Sequence, residues 1–322
     1  MRQFVKPVVV VSKCLGFANC RYNGAIINDD LVTKLRDYVD FIPVCPEMEV
    51  GLGVPREPIR MVQSGEELKL MQPATGLDIT RKMEDFASSF LDSVGYADGF
   101  ILKSRSPSCG SKDVKVYPDI EKSMPATRSA GFFGMAVLKK YPNLSVENEG
   151  RLKNFQIREH FLTKLFTLSD FRKVKDSGTV AELVRFHSEN KHLLLAYNQE
   201  KMREMGRIVA DASKKDISEV IEKYENRLHE SLYSFSKPTA NINVLMHGLG
   251  YFSDKLNSEE KQFFLDTLER YREDRIPLSV PLNILRSFII RFEESYLKQQ
   301  TFFDPYPEEL VEISDSGKGR NL

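Results

Sequence analysis

Cysteine occurs here in short polar segments whose residue types suit chemistry better than a core. Cys109 lies in "KSRSPSCGS" (Lys103 to Ser111), after the apolar run Gly99-Phe100-Ile101-Leu102. Cys14 and Cys20 lie six apart in "SKCLGFANCRYNG" (Ser12 to Gly24), which holds two glycines. Cys45 opens "CPEMEVGLGVPREPIR", with Glu47 two residues on and Arg56 and Glu57 in the Gly/Pro-rich loop that follows. A single free cysteine usually behaves as a small buried hydrophobe. Thiols beside glycines, serines and a carboxylate raise metal binding or nucleophilic catalysis instead.

Spacing sorts the metals. Structural zinc usually takes two close C-x2-4-C pairs and four ligands. Only one loose pair, C-x5-C, exists here. Electron-transfer ferredoxins use tight C-x2-C runs, and none is present. Three thiolates with an uncertain fourth better suit a cubane iron–sulfur cluster with one iron open, a Lewis acid able to bind a substrate sulfur. Glycine lets backbone approach such a core, and amide or hydroxyl donors stabilise its negative charge. Zinc, a cysteine nucleophile and plain buried thiols remain readings of the same spacing.

The segments before these cysteines read as strands. "KPVVVVS" (Lys6 to Ser12) is a Val run of the kind buried on both faces. "DFIPVCPE" (Asp40 to Glu47) is a second strand and "DGFILKS" (Asp98 to Ser104) another. Between them, "NDDLVTKLRDYV" (Asn28 to Val39, with an Asn cap), "DITRKMEDFASSFLDSV" (Asp78 to Val94) and "SAGFFGMAVLKKY" (Ser129 to Tyr141) carry helical periodicity. "IRMVQSGEELKLM" (Ile59 to Met71) reads as a hairpin around Ser64-Gly65. Strands alternating with helices predict an α/β layer, mostly parallel and Rossmann-like. Such sheets bind ligands beyond the carboxyl ends of their strands, so Cys14, Cys45 and Cys109 are expected at one rim.

From about Asn148 long helical periodicity takes over and runs to about Gln299, predicting an all-α second domain. The expected domains are 1–146 and 147–302, followed by a tail at 303–322 in which "DSGKGRNL" is expected to lack order. The five histidines all lie in this helical region, from His160 to His247. His187, His192, His229 and His247 read as core or boundary groups of amphipathic helices and are assigned no role.

Composition narrows the class. Of 322 residues, 46 are Lys or Arg and 46 Asp or Glu, so net charge argues for neither nucleic acid nor membrane, although a local basic patch stays possible. No apolar stretch approaches the ~20 residues of a membrane span. The opening segment lacks the long apolar core of a signal peptide. Cytoplasmic residence and free thiols are the expectation.

These motifs together resemble the thiouracil desulfurase family, whose pattern runs S-x-C-L…C-R-Y-[DN]-G, then C-P-E…G-L…P-R, then S-P-S-C-G, over roughly residues 5 to 145. "RLKNFQIREHF", "LVRFHSENKHLLLAYN", "GRIVA", "LMHGLGYF" and "RIPLSVPLNILR" resemble the YbgA-like helical domain often fused to it. The resemblance implies a [4Fe-4S] cluster on Cys14, Cys45 and Cys109, with Cys20 as an alternative ligand or a neighbouring thiol. It implies Glu47 as the catalytic acid and one serine assisting, Ser106 ahead of Ser108. The implied activity is non-redox removal of sulfur from thiolated uracil, with 4-thiouridine in tRNA the expected target and no redox partner. The segment "CLGFANC" departs from the usual C-L-L-G-x-x-C, so substrate choice does not carry over.

Free base and tRNA make different demands. A tRNA needs a basic approach surface and a flipped-out nucleotide. Lys103, Arg105, Lys112 and Lys115 bracket Cys109, and Lys164, Arg172, Lys173, Lys175, Arg185 and Lys191 crowd the start of the helical domain. The same cations read equally as a solvated helix face. A zinc-bearing RNA-binding or scaffold protein without catalysis is the alternative of another class.

Overall fold

The computed structural model describes residues 2–121, 124–312 and 315. Two compact units divide the chain. One holds Phe4–Ser169 with the chain from Tyr306 on, and the other holds Asp170–Pro305 with the chain up to Gln3.

The α/β unit runs β1 (Val8–Ser12), α1 (Asp30–Leu35), β2 (Asp40–Val44), α2 (Pro46–Glu49), β3 (Arg60–Ser64), β4 (Glu67–Gln72), β5 (Leu77–Asp78), α3 (Thr80–Ser93), β6 (Gly99–Leu102), β7 (Val114–Tyr117), β8 (Thr127–Ser129), α4 (Phe132–Lys140) and β9 (Ser145–Asn148). Four strands form one sheet in the order β2-β1-β6-β9, and every pairing in it is parallel. In β1, Val9, Val10 and Val11 are each 0% exposed. Burial on both faces is what a central parallel strand requires, and each such side chain stabilises the fold by roughly 1.5–3 kcal/mol.

A second sheet, β5-β4-β3-β7-β8, mixes parallel and antiparallel pairs. The hairpin read around Ser64-Gly65 is its β3–β4 pair. Sequence reading did not separate this sheet from the first, because periodicity reports which side is apolar and not which partner covers it. Two helices lie between the layers. Met83 of α3 and Phe132 of α4 pack with the second sheet, while Ala87, Leu91, Phe133 and Val137 pack with the first.

Two local expectations change. The α1 cap is Asp29 and not Asn28, since its carboxylate accepts from Val32 N at 3.0 Å, and the helix stops at Leu35. Strand β9 lies in "LSVEN", between the expected helix ending at Tyr141 and the helical region from about Asn148, where no element is expected from the sequence. Its Ser145 and Asn148 are buried polar residues, which hid a strand from a hydrophobicity pattern.

The remaining helices are α5 (Phe155–Ser177), α6 (Val180–Tyr197), α7 (Gln199–Ala210), α8 (Ile217–Ser231), α9 (Pro238–Gly250), α10 (Ser258–Arg272), α11 (Ser279–Arg291) and α12 (Ser295–Lys298). Thus strands give way to helices near Asn148 as read, whereas the packing boundary falls later, between Ser169 and Asp170. The helical unit has its own core of Leu193, Leu245, Phe252, Phe264, Leu285 and Phe288, among others. The tail expected from 303 begins later, because Phe303, Tyr306 and Leu310 are buried. Most of "DSGKGRNL", namely 316–322, lies outside the described residues. Among the described residues no helix is long and apolar enough to cross a membrane.

Candidate active site

The carboxyl ends of β1, β2 and β6 lie side by side, so the loops that follow them meet. Ser12 ends β1 and ties this edge together: its Oγ accepts from Lys103 N, just past β6, at 2.8 Å. Lys13 N donates to Val44 O, the last residue of β2, at 2.8 Å. Cys14 then follows β1, Cys45 follows β2 directly, and Cys109 stands seven residues past β6, at the end of a turn.

The thiols gather accordingly. All four are free and buried. The Cys20 thiol hydrogen-bonds with those of Cys14 and Cys45, and the Cys45 thiol lies 3.8 Å from the Cys20 carbonyl. The hydrogen bond with Cys20, followed by burial, pushes the Cys45 thiol far up. Burial pushes Cys109 up to about 12, against a hydrogen bond with Ser12, and Glu47 and Cys45 are near enough to add to the rise.

The acid stands beside Cys45 and Cys109. Cys45 is the cap of the one-turn helix α2, and Pro46 at its first position carries no amide to satisfy. That turn delivers Glu47. Its Oε1 accepts from Ser108 Oγ at 2.6 Å. Its Oε2 accepts from Arg56 Nε at 2.8 Å, and Arg56 Nη2 lies 2.6 Å from the same oxygen in an ion pair. Ser108 Oγ lies 3.0 Å from Ser106 Oγ, and Ser106 Oγ accepts from Cys109 N at 3.1 Å. Ser108 is fully buried, whereas Ser106 is only half-buried.

The Cys109 loop owes its shape to α4. The first amides of a helix lack partners within it. Here Gly131, Phe132 and Gly134 donate to Gly110 O, Pro107 O and Ser108 O at 2.8, 3.0 and 3.1 Å. The approach is so close that a Cβ on Gly131 would lie 2.6 Å from both the Pro107 and Ser108 carbonyls, and one on Gly134 would strike the Gly110 carbonyl.

Cys14, Cys20, Cys45, Cys109, Glu47, Ser106 and Ser108 thus stand at this edge, with Ser108 and not Ser106 touching Glu47. Sequence reading missed four contributors. Arg56 reads in the sequence only as part of a Gly/Pro-rich loop. Ser12 was only the first letter of a motif. Gly131 and Gly134 were read as helix residues, although two glycines at a helix start were a usable sign of close packing.

The expected basic surface is thinner than the sequence implied. Lys103 is paired with buried Glu149 at 2.5 Å. Lys164 is buried, and burial pulls it down to about 8. Lys173, Lys175 and Arg185 form ion pairs within the helical unit. Arg105 and Lys112 are exposed and make no ion pair among the described residues. Two of the histidines join side-chain networks: His187 Nδ1 lies 3.0 Å from Tyr224 Oη and His192 Nδ1 2.7 Å from Gln300 Oε1.

Among the described residues no three His, Cys, Asp or Glu side chains are placed to hold a single metal ion. A cluster of four irons spaces its thiolate ligands more widely than one ion does. The donor set suits it: thiols from three loops share one edge, and those of Cys45 and Cys109 hold their protons unless a cation is near, which is what iron supplies.

Comparison with known proteins places this architecture. Residues 9–149 match the model of 2-thiouracil desulfurase, and residues 191–307 match that of a protein of unknown function, DUF1722. The chain belongs to the 2-thiouracil desulfurase family through its α/β unit, with a YbgA-like DUF1722 domain fused behind it. The uncharacterized protein YbbK of Bacillus subtilis (strain 168) is 35% identical over 111 residues, 32% of this chain and 74% of that protein. The uncharacterized protein YbgA of Escherichia coli (strain K12) is 28% identical over 158 residues, 48% of this chain and 93% of that protein. A solved [4Fe-4S]-dependent thiouracil desulfidase, TudS, is 27% identical with a TM-score of 0.35, over 46% of this chain and 93% of that one.

Proposed function

We propose that this chain is a desulfidase that replaces the thiocarbonyl sulfur of 4-thiouridine in tRNA by oxygen, with a [4Fe-4S] cluster on Cys14, Cys45 and Cys109. The observation that carries this reading is the junction of Glu47 with Ser108, held where three thiol-bearing loops meet. Water and a thiocarbonyl give a carbonyl and hydrosulfide with no net electron transfer, so the reaction calls for no electron donor. Held by Cys14, Cys45 and Cys109, the cluster would supply a Lewis acid for the substrate sulfur.

The chain's own residues supply the proton handling. Ser106, the more exposed hydroxyl, stands at the outer end of a line that passes through Ser108 to Glu47. A water attacking the ring carbon gives its proton to this line, and Glu47 receives it as general base. Arg56 and Ser108 each occupy one carboxylate oxygen, which fixes the plane of the group. Cys20, in contact with Cys14 and Cys45, is a neighbouring thiol and the alternative ligand to Cys14. Support for a polyanionic substrate comes from Arg105 and Lys112, exposed cations beside the Cys109 loop that form no ion pair among the described residues.

Anaerobic reconstitution tests this directly, with assays on 4-thiouracil, 4-thiouridine and thiolated tRNA. The expected protein is brown with about four irons and releases hydrosulfide from thiolated tRNA, with binding that weakens steeply in salt. Hydrosulfide from the free base alone removes tRNA as the substrate. A colourless zinc protein inert on all three overturns the enzyme and favours a scaffold.

A further inference from the structure

We infer that Arg56 is a positioning residue for the reaction proposed above, on which this inference rests: its guanidinium sets the Glu47 carboxylate and the Cys20 backbone as one unit. Its side chain is 4% exposed, against 14% for Glu47. Nε and Nη2 both reach Glu47 Oε2, at 2.8 and 2.6 Å. Nη2 also donates to the Cys20 carbonyl at 3.0 Å, and Nη1 to the Gly53 carbonyl at 2.8 Å. The Arg56 backbone amide donates to Tyr22 O at 2.8 Å, so side chain and main chain hold the same turn.

No other side chain described at this edge spans as much. A planar fork with five donors can bind a carboxylate and two carbonyls in fixed directions, which an ammonium cannot. Through Arg56 the loop after β1 and the loop after β2 are linked. Through Ser108, on the other carboxylate oxygen, the loop after β6 joins them. The acid and the thiol-bearing turns therefore share one alignment, and loss of Arg56 frees both at once. A shift of the acid by about 1 Å can cost about 100-fold in rate.

The test compares Arg56→Ala and Arg56→Lys with the unaltered protein after reconstitution. For Arg56→Ala the expectation is retained brown absorbance, kcat lowered about 100-fold, little change in KM, and partial recovery of kcat when guanidinium is added. Arg56→Lys keeps the charge but loses the fork, and its kcat should also fall. Unchanged kcat in either variant overturns the proposal, as does a loaded Arg56→Ala enzyme that guanidinium does not rescue. Should Arg56→Ala fail to fold, Arg56→Lys alone decides.

A second readout separates this inference from the reaction itself. In the cluster-free protein, Cys20 should react with iodoacetamide at least about tenfold faster in the folded variant than in the unaltered chain, because its turn has lost its clamp. An unchanged rate sinks the positioning role even if the unaltered protein proves inert on every thiolated uracil, a result that by itself would sink only the proposed reaction.

Discussion

Ser108 Oγ donates to Glu47 Oε1 across 2.6 Å, although 61 positions separate the two residues in the chain. The bond joins a one-turn helix after β2 to a turn after β6. It sets the direction in which the acid can accept a further proton.

That bond makes the two residues separable by substitution. Glu47→Gln keeps the shape but cannot take a proton, and should lower kcat by at least about 100-fold while the brown absorbance remains. Ser108→Ala keeps the charge but interrupts the line to Ser106, and should lower kcat less, because a water can bridge the gap left by the hydroxyl. Stopped-flow assay of hydrosulfide release measures both. A fully active Glu47→Gln protein would remove the acid from the mechanism.

The contact between α4 and the Cys109 loop has a stability consequence. Gly134→Ala forces a methyl group against the Gly110 carbonyl, and overpacking of this kind costs about 1–3 kcal/mol. The displaced loop carries Cys109, so the iron content after reconstitution should drop with the melting temperature. Iron analysis beside calorimetry checks this, and a variant with native iron and native melting temperature contradicts the packing account.

Lys103 and Arg105 should part company. Lys103 serves buried Glu149, which also accepts from Ser104 N and Oγ. Lys103→Met leaves that carboxylate short of a cation and should destabilise the fold by about 3 kcal/mol, with little effect on the salt dependence of tRNA binding. Arg105→Ala should leave stability alone and lower the salt slope by about 1. Denaturant titration and filter binding over a range of salt distinguish them; equal slopes for Arg105→Ala and the unaltered protein would exclude Arg105 from a phosphate contact.

His187 predicts an acid sensitivity of the helical unit. Burial, assisted by the charge of Lys191, pulls its pKa down to about 4 from 6.5. Above pH 6.5 folded and unfolded chains both hold it neutral, and it contributes nothing to the slope. As pH falls from 6.5 towards 4 the unfolded chain gains a proton that the folded chain resists. Stability is then lost at about 1 kcal/mol per pH unit from this residue. Urea titrations at pH 7.5, 6 and 5 should show a shallower decline in His187→Gln; identical declines would refute the assignment.

Much of this protein was readable in one dimension. The Val run of β1, the apolar stretch of β6 and the helical periodicity after Asn148 specify their own local structure, because the alternation or continuity of apolar residues is itself the burial pattern. The order of cysteines after strands then predicted a shared edge, since parallel strands place their carboxyl ends together. Contacts between distant loops carry no such local signal. Nothing around Arg56 announces Glu47 and the Cys20 carbonyl as its partners, nothing in "SPSCG" ranks Ser108 over Ser106 as the neighbour of the acid, and nothing near Lys103 reveals Glu149. Those pairings depend on directions in space set by the packing of α4 beneath the Cys109 loop and by the register of β1 with β2 and β6. Only the folded chain decides them.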